Sequence, residues 1–192
     1  MRILVGAMVL ALAAPALADT PSYSYVQGSF QNIDIDEGNS GLDVDGDGLG
    51  IGGSFEVAEN WYIVGGYSTI DLGFGVDFNE LSIGVGYNTD ISPTTSMFAD
   101  LSFLRAEVDV GSFGSEDETG YGLRVGIRSN LSDQVEAEGN IAYSDLGDGI
   151  DGTSVGGALW YKFTKNFQVG ALLGAEEDVF RYGIGARFYF GQ

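Results

Sequence analysis

From Ser22 to Phe190 apolar residues alternate with polar or small ones along most of the chain. In Asn79–Tyr87, for example, Leu81, Ile83, Val85 and Tyr87 alternate with Glu80, Ser82, Gly84 and Gly86. A period of two places one set on each face of a β-strand. The pattern predicts ten strands of ten residues or more: Ser22–Asn32, Gly48–Val57, Trp61–Ile70, Val76–Asn88, Thr95–Glu107, Thr119–Ser129, Gln134–Asp145, Thr153–Phe163, Phe167–Glu176 and Val179–Phe190. A tilted strand needs about 9–11 residues to cross a membrane. Four short connections, Ala58–Asn60, Thr89–Thr94, Asn130–Asp133 and Thr164–Asn166, alternate with others rich in Gly and Asp. Those are Ile33–Asp47, Asp71–Gly75, Val108–Glu118, Leu146–Gly152 and the short Glu177-Asp178. Outer-membrane barrels have this rhythm, with turns on the periplasmic side and loops outside. The predicted fold is all-β, a transmembrane antiparallel up-and-down barrel of about ten strands with both termini in the periplasm.

The two faces differ in chemistry. One carries stripes such as Leu49, Ile51, Phe55 and Val57, or Met97, Ala99, Leu101 and Phe103, interrupted by charge only at Arg105. Aromatics gather at its ends: Tyr67, Phe103, Tyr121, Tyr143 and Tyr182 at one, Trp61, Tyr87, Phe163, Phe167, Phe188 and Phe190 at the other. Two aromatic girdles are what two membrane interfaces select. The opposite face is polar or small. It is expected to hold a lumen network of Glu56, Glu80, Asp100, Arg124, Arg128, Glu136, Glu138, Lys162, Arg181 and Arg187. Crossed ion pairs satisfy charges that lipid would not tolerate. The alternative is a narrow water-filled path, with glycines such as Gly84, Gly86 and Gly126 leaving room for water.

The first 18 residues read differently. Arg2 precedes an uncharged run, Ile3–Ala18, ending Ala16-Leu17-Ala18. Such a stretch is a secretory signal, cut after a small-x-small site, and it is short for a spanning helix, which needs about 20 apolar residues. Residues 1–18 are therefore expected to be a leader and 19–192 one barrel domain.

Several stretches resemble the small single-chain outer-membrane barrels of Gram-negative bacteria, of the OmpX and OmpA-barrel kind. Tyr23-Ser24-Tyr25-Val26-Gln27-Gly28 is similar to their opening strand. Val57-Ala58-Glu59-Asn60-Trp61 with Gly65-Gly66-Tyr67 is similar to a periplasmic turn and the strand after it, and Val85-Gly86-Tyr87-Asn88 with Ile91-Ser92-Pro93 to the next. The resemblance implies location and architecture and carries no catalytic residue. Two features depart from it. The strand count is ten, with the family's eight as the alternative, and Gly191-Gln192 trail the terminal aromatic Phe190 that the barrel-assembly machinery is expected to read. That machinery and periplasmic chaperones are the partners implied during biogenesis.

Chemistry is sparse. The chain has no His and no Cys. A hydrolase would have only carboxylates such as Glu136 and Glu138 to act as acid and base, so no enzyme is expected. Gly48-x-Gly50-x-x-Gly53 spells a dinucleotide fingerprint, but it lies in a strand without the helix that motif needs. The formal charge of −20 argues against nucleic acid, which wants basic surfaces. Seventeen of the 28 acidic residues fall in the outer connections or, as Asp77 and Asp145, at the strand ends beside them, with no Lys or Arg among them. Asp43, Asp45 and Asp47, with Gly48 after them, match the opening of a calcium loop, but Ser54 stands where the bidentate Glu belongs. A solvated acidic rim is one reading of this charge. The other is a weak surface site for Ca²⁺ or Mg²⁺, through which the loops touch anionic lipopolysaccharide. No tightly held cofactor is expected. Two roles follow: a structural or surface-interaction barrel, or a narrow porin-like channel weakly favouring cations.

Overall fold

The computed structural model describes residues 19–36, 43–73, 75–147 and 150–191; the expected leader, residues 1–18, lies outside the described residues. Ten strands follow one another: β1 (Tyr25–Asp36), β2 (Asp43–Ala58), β3 (Trp61–Asp71), β4 (Asp77–Ser92), β5 (Thr95–Asp109), β6 (Ser115–Ser132), β7 (Val135–Asp145), β8 (Asp151–Lys162), β9 (Phe167–Glu176) and β10 (Val179–Tyr189). Each pairs antiparallel with the next, and β1 pairs with β10 to close the sheet. The closed ladder leaves no unpaired edge, which lipid requires. The count is ten, not eight.

Alternation marks the strand cores well and their outer ends poorly. β2 starts at Asp43 rather than Gly48, and β6 at Ser115 rather than Thr119. Beyond the outer girdle no lipid demands an apolar face, so the sequence pattern stops while backbone pairing continues. At the other end β1 begins at Tyr25, because residues 19–24 leave the sheet.

Three outer turns share one local device. Asp71, Asp109 and Asp145 each accept a hydrogen bond at the side chain from the backbone N–H two residues on, at 2.7, 2.9 and 2.9 Å. The donors are Gly73, Gly111 and Gly147, with φ of +75°, +54° and +81°. An aspartate that turns the chain and a glycine that accepts the left-handed backbone fix these corners.

The outward faces carry the apolar stripes. Ile51, Ile83, Leu101, Leu159 and Ile184 are all more than half exposed, and Trp61 packs edge-on to Tyr87 across β3 and β4 at 5.2 Å. In water this surface would be an extreme apolar patch; as a lipid face it is ordinary.

The interior is less polar than alternation alone predicts. Tyr62, Phe98, Leu104, Ala106 and Trp160 point inward and are buried. Three of the inward glycines face large rings rather than empty space. Tyr62 lies opposite Gly86, Phe98 opposite Gly126, and Trp160 opposite Gly170. A Cβ on Gly86 would sit 2.2 Å from the Tyr62 ring. Small beside large is how a narrow barrel fills its section.

Candidate functional site: the filled lumen and the acidic rim

The charged lumen residues sort into three levels. At the centre, Glu136 is 1% exposed. It accepts hydrogen bonds from Arg128 Nη2 at 2.7 Å, Arg187 Nη1 at 3.1 Å, Gln168 Nε2 at 3.1 Å and the Tyr189 hydroxyl at 3.0 Å. Glu138 receives Arg187 Nη2 at 3.0 Å, and Gln27 Oε1 accepts from the same Nη2 at 2.8 Å and from Nε at 3.0 Å. Arg187 also lies 4.1 Å from the Trp160 ring and 4.2 Å from that of Tyr25. Charges this deep persist only when paired and fully hydrogen-bonded, and each of these has several partners. A second chain runs beside it: the Tyr62 hydroxyl donates to Asp100, which also receives Arg124.

Glu56 and Lys162 stand apart at the periplasmic mouth. Lys162 Nζ donates to Asn130 Oδ1 at 2.6 Å, and Glu56 accepts from the Ser22 and Ser24 hydroxyls at 3.2 and 3.0 Å. Towards the outer mouth, Arg181 bridges Glu176 at 3.6 Å with both side chains part-exposed, and the partly buried Glu80 points into the same level. A cavity of about 310 Å³ opens there, lined among others by Gln31, Arg124, Asn140, Leu172, Glu176 and Arg181. It has room for about ten waters at ~30 Å³ each.

Reading the charged positions alone misses the rings that complete this packing: Tyr23, Tyr25, Tyr62, Phe98, Trp160 and Tyr189. Their signal is parity. Tyr62 sits between outward Trp61 and Ile63, and Trp160 between outward Leu159 and Tyr161. A large ring on the off-beat of an outward stripe must point inward.

Residues 19–24 cross the periplasmic mouth. Beside β1 they are held by Ser54 Oγ, which donates to the Tyr23 carbonyl at 2.5 Å, and by the Glu56 contacts. On the far wall, Arg128 Nη1 donates to the Ser22 carbonyl at 2.8 Å, Asn130 Nδ2 donates to the Asp19 carbonyl, and the Tyr23 hydroxyl bonds Ser96 Oγ at 2.9 Å. The Tyr23 ring stacks on Tyr62 at 4.7 Å beneath the Arg128 guanidinium, also at 4.7 Å.

The outer rim collects carboxylates on the outward face, above the girdle. Asp34 lies directly opposite Asp45. Asp47, Asp71, Asp77 and Asp109 form a row across β2, β3, β4 and β5, each opposite the next. Asp145 faces Asp151. Like charges directly opposite destabilise a sheet. Asp43, Asp45 and Asp47 fall in a strand rather than a loop, with Asp45 and Asp47 on its outward side; the side chain of Asp43 lies outside the described residues. Among the described residues no three carboxylates converge into a metal cage.

The closed, lipid-faced sheet agrees with a family model, the outer membrane protein beta-barrel domain, which matches residues 4–171. The chain belongs to that family. No curated protein sequence matches it. Among solved structures it is similar to an outer-membrane channel from Pseudomonas putida, 11% identical, covering 93% of this chain and 100% of that one, TM-score 0.53. It is similar also to the KdgM porin in complex with disordered oligogalacturonate, at 13% identity, 88% and 99% coverage and TM-score 0.50. Neisserial surface protein A matches at 17% identity, 88% and 98% coverage and TM-score 0.47. At such identities the first two likenesses show the fold alone. The family is one of the outer membrane, which agrees with the apolar outward face.

Proposed function

We propose that this is an exported, closed outer-membrane barrel with a structural or surface-interaction role, working through its acidic outer rim. The observation that carries the reading is the central layer. Arg128, Arg187, Glu136, Gln168, Trp160, Tyr62 and Tyr189 are each no more than 2% exposed, so the lumen is packed across its section. The leader is removed on export, and chaperones and the barrel-assembly machinery deliver the chain. No step of catalysis is assigned to it. In planar bilayers the protein should give a quiet baseline. Frequent steps of conductance would favour the second reading, a narrow cation-preferring channel, which the outer cavity and the acidic mouth support.

The rim's partners follow from its charge. Facing carboxylates repel when ionised, and hard divalent cations relieve this through oxygen ligands. At this height the neighbouring molecules are lipopolysaccharide headgroups, whose phosphates are also anionic. Ca²⁺ or Mg²⁺ shared between the two would tie barrel to lipid, with Asp43, Asp45 and Asp47 as one group of ligands. Affinity should be weak, ~10⁻⁴–10⁻³ M, as in extracellular modules. A calcium titration by calorimetry, repeated on Asp43→Asn/Asp45→Asn/Asp47→Asn and on Asp71→Asn/Asp77→Asn, should show binding reduced in both variants. Identical responses in wild type and variants would remove the cation from this account.

A further inference from the structure

We propose that residues Asp19–Ser24 form a gate, a strap that seals one side of the lumen while seated and opens a path for small ions when it withdraws into the periplasm. The inference rests on the closed-barrel reading and adds a second, conducting state to it.

Three features set the strap apart from the wall. Its backbone is outside the sheet: the ladders of β1 with β2 and with β10 both begin at Tyr25. Withdrawal would therefore break no β-ladder pair, and of backbone-to-backbone hydrogen bonds to the wall only the one from Phe190 N–H to the Ser24 carbonyl at 3.1 Å. Its grip on the far wall is made by side chains, Arg128, Asn130, Ser96 and Asp90, the last accepting from the Thr20 hydroxyl at 3.3 Å, and all four could bond water instead. And it supplies one large ring to the packing, Tyr23, wedged between Tyr62 and Arg128 with its edge towards Phe98 at 6.2 Å.

The position of that ring matters. Glu136, Gln168, Trp160 and Arg187 fill the lumen from β7, β9, β8 and β10. The opposite side is filled by Tyr62 and Phe98 with Tyr23, and only Tyr23 comes from outside the barrel wall. Ser96, beneath the Tyr23 hydroxyl, is 0% exposed. Past Tyr62 come Asp100 and Arg124, and the Arg124 side chain is already 34% exposed towards the outer cavity. Loss of Tyr23 thus leaves a ring-sized gap in the packed layer, on the side where Arg124 lines that cavity. The hydroxyls, guanidinium and carboxylate uncovered there are a surface that water wets readily.

The test uses protein purified from outer membranes, in planar bilayers in KCl, with wild type beside Tyr23→Ala and beside a strap in which residues 20–23 are all changed to Gly. A heat-dependent shift in electrophoretic mobility checks that each barrel is folded. Wild type should be nearly silent, and both variants should spend at least about tenfold more time conducting, the factor that ~1.4 kcal/mol makes in an equilibrium. A second readout needs no current. The chain has no cysteine, so Ser96→Cys introduces a single thiol. A membrane-impermeant maleimide should label it at least about tenfold faster when Tyr23→Ala is present, a comparable equilibrium shift. If wild type conducts as often as the variants, the closed-barrel reading falls and the gate with it. If wild type and both variants are silent and the thiol is labelled at one rate throughout, the closed barrel stands and the gate is wrong.

Discussion

Replacing Glu136 by alanine should lower the unfolding free energy of the barrel by about 3–5 kcal/mol, the range for removing one partner of a buried ion pair. The reason lies in what remains. Arg128 and Arg187 have side chains only 2% exposed, and their other carboxylate, Glu138, stands 3.8 Å from Arg128 and 3.0 Å from Arg187. Two buried guanidiniums would share one carboxylate, while Gln168 and Tyr189 lose their acceptor. The control is Glu176→Ala. Its single bridge to Arg181 spans 3.6 Å between part-exposed side chains, and such a pair contributes at most about 1 kcal/mol. Urea unfolding in lipid vesicles measures both. Adding Arg128→Ala to Glu136→Ala should recover part of the loss, because the uncompensated charge goes with it. Equal costs at Glu136 and Glu176 would mean that the central layer is wet, and the closed reading of the lumen would lose its basis.

The barrel was legible because lipid writes on sequence. A lipid-facing position tolerates almost no charge, so Leu49 to Val57, or Tyr121 to Ile127, alternate cleanly, and the girdle aromatics mark both interfaces. Inside, the rule is weaker. The lumen needs volume filled and charges paired, and rings do the first as well as ions do the second. Tyr62 and Trp160 therefore escape a search for polar residues on the inward face. Gly86, Gly126 and Gly170 look like empty space until the ring opposite each is known, and that depends on register across strands. The strap is illegible for a related reason: Ser22–Tyr25 continues the alternation of β1, and only the far-wall contacts of Ser22 and Tyr23 show that the chain has left the sheet. The rim aspartates were visible as charge, but their direct opposition, Asp47 to Asp71 to Asp77 to Asp109, needs the register of four strands.

Leu101→Arg should destabilise the barrel by about 2–4 kcal/mol, the cost of a basic side chain on the lipid face near the midplane. Leu101 is 56% exposed, midway along β5, and its cross-strand partners Val85 and Leu123 are outward and apolar. An arginine there meets hydrocarbon on every side. Ser102, one residue on, faces the lumen. Its partners across the sheet are Gly84 and Gly122, so neither neighbour adds a side chain beyond Cα. Ser102→Arg therefore meets the polar interior rather than hydrocarbon, and should cost much less than the change at Leu101. The pair is a register test, because a slip of one residue exchanges the two faces. Reversible unfolding of both variants in vesicles decides it. A larger loss at Ser102 than at Leu101 would put lipid on the wrong side of β5, and by continuity of the ladder on the wrong side of every strand in the barrel.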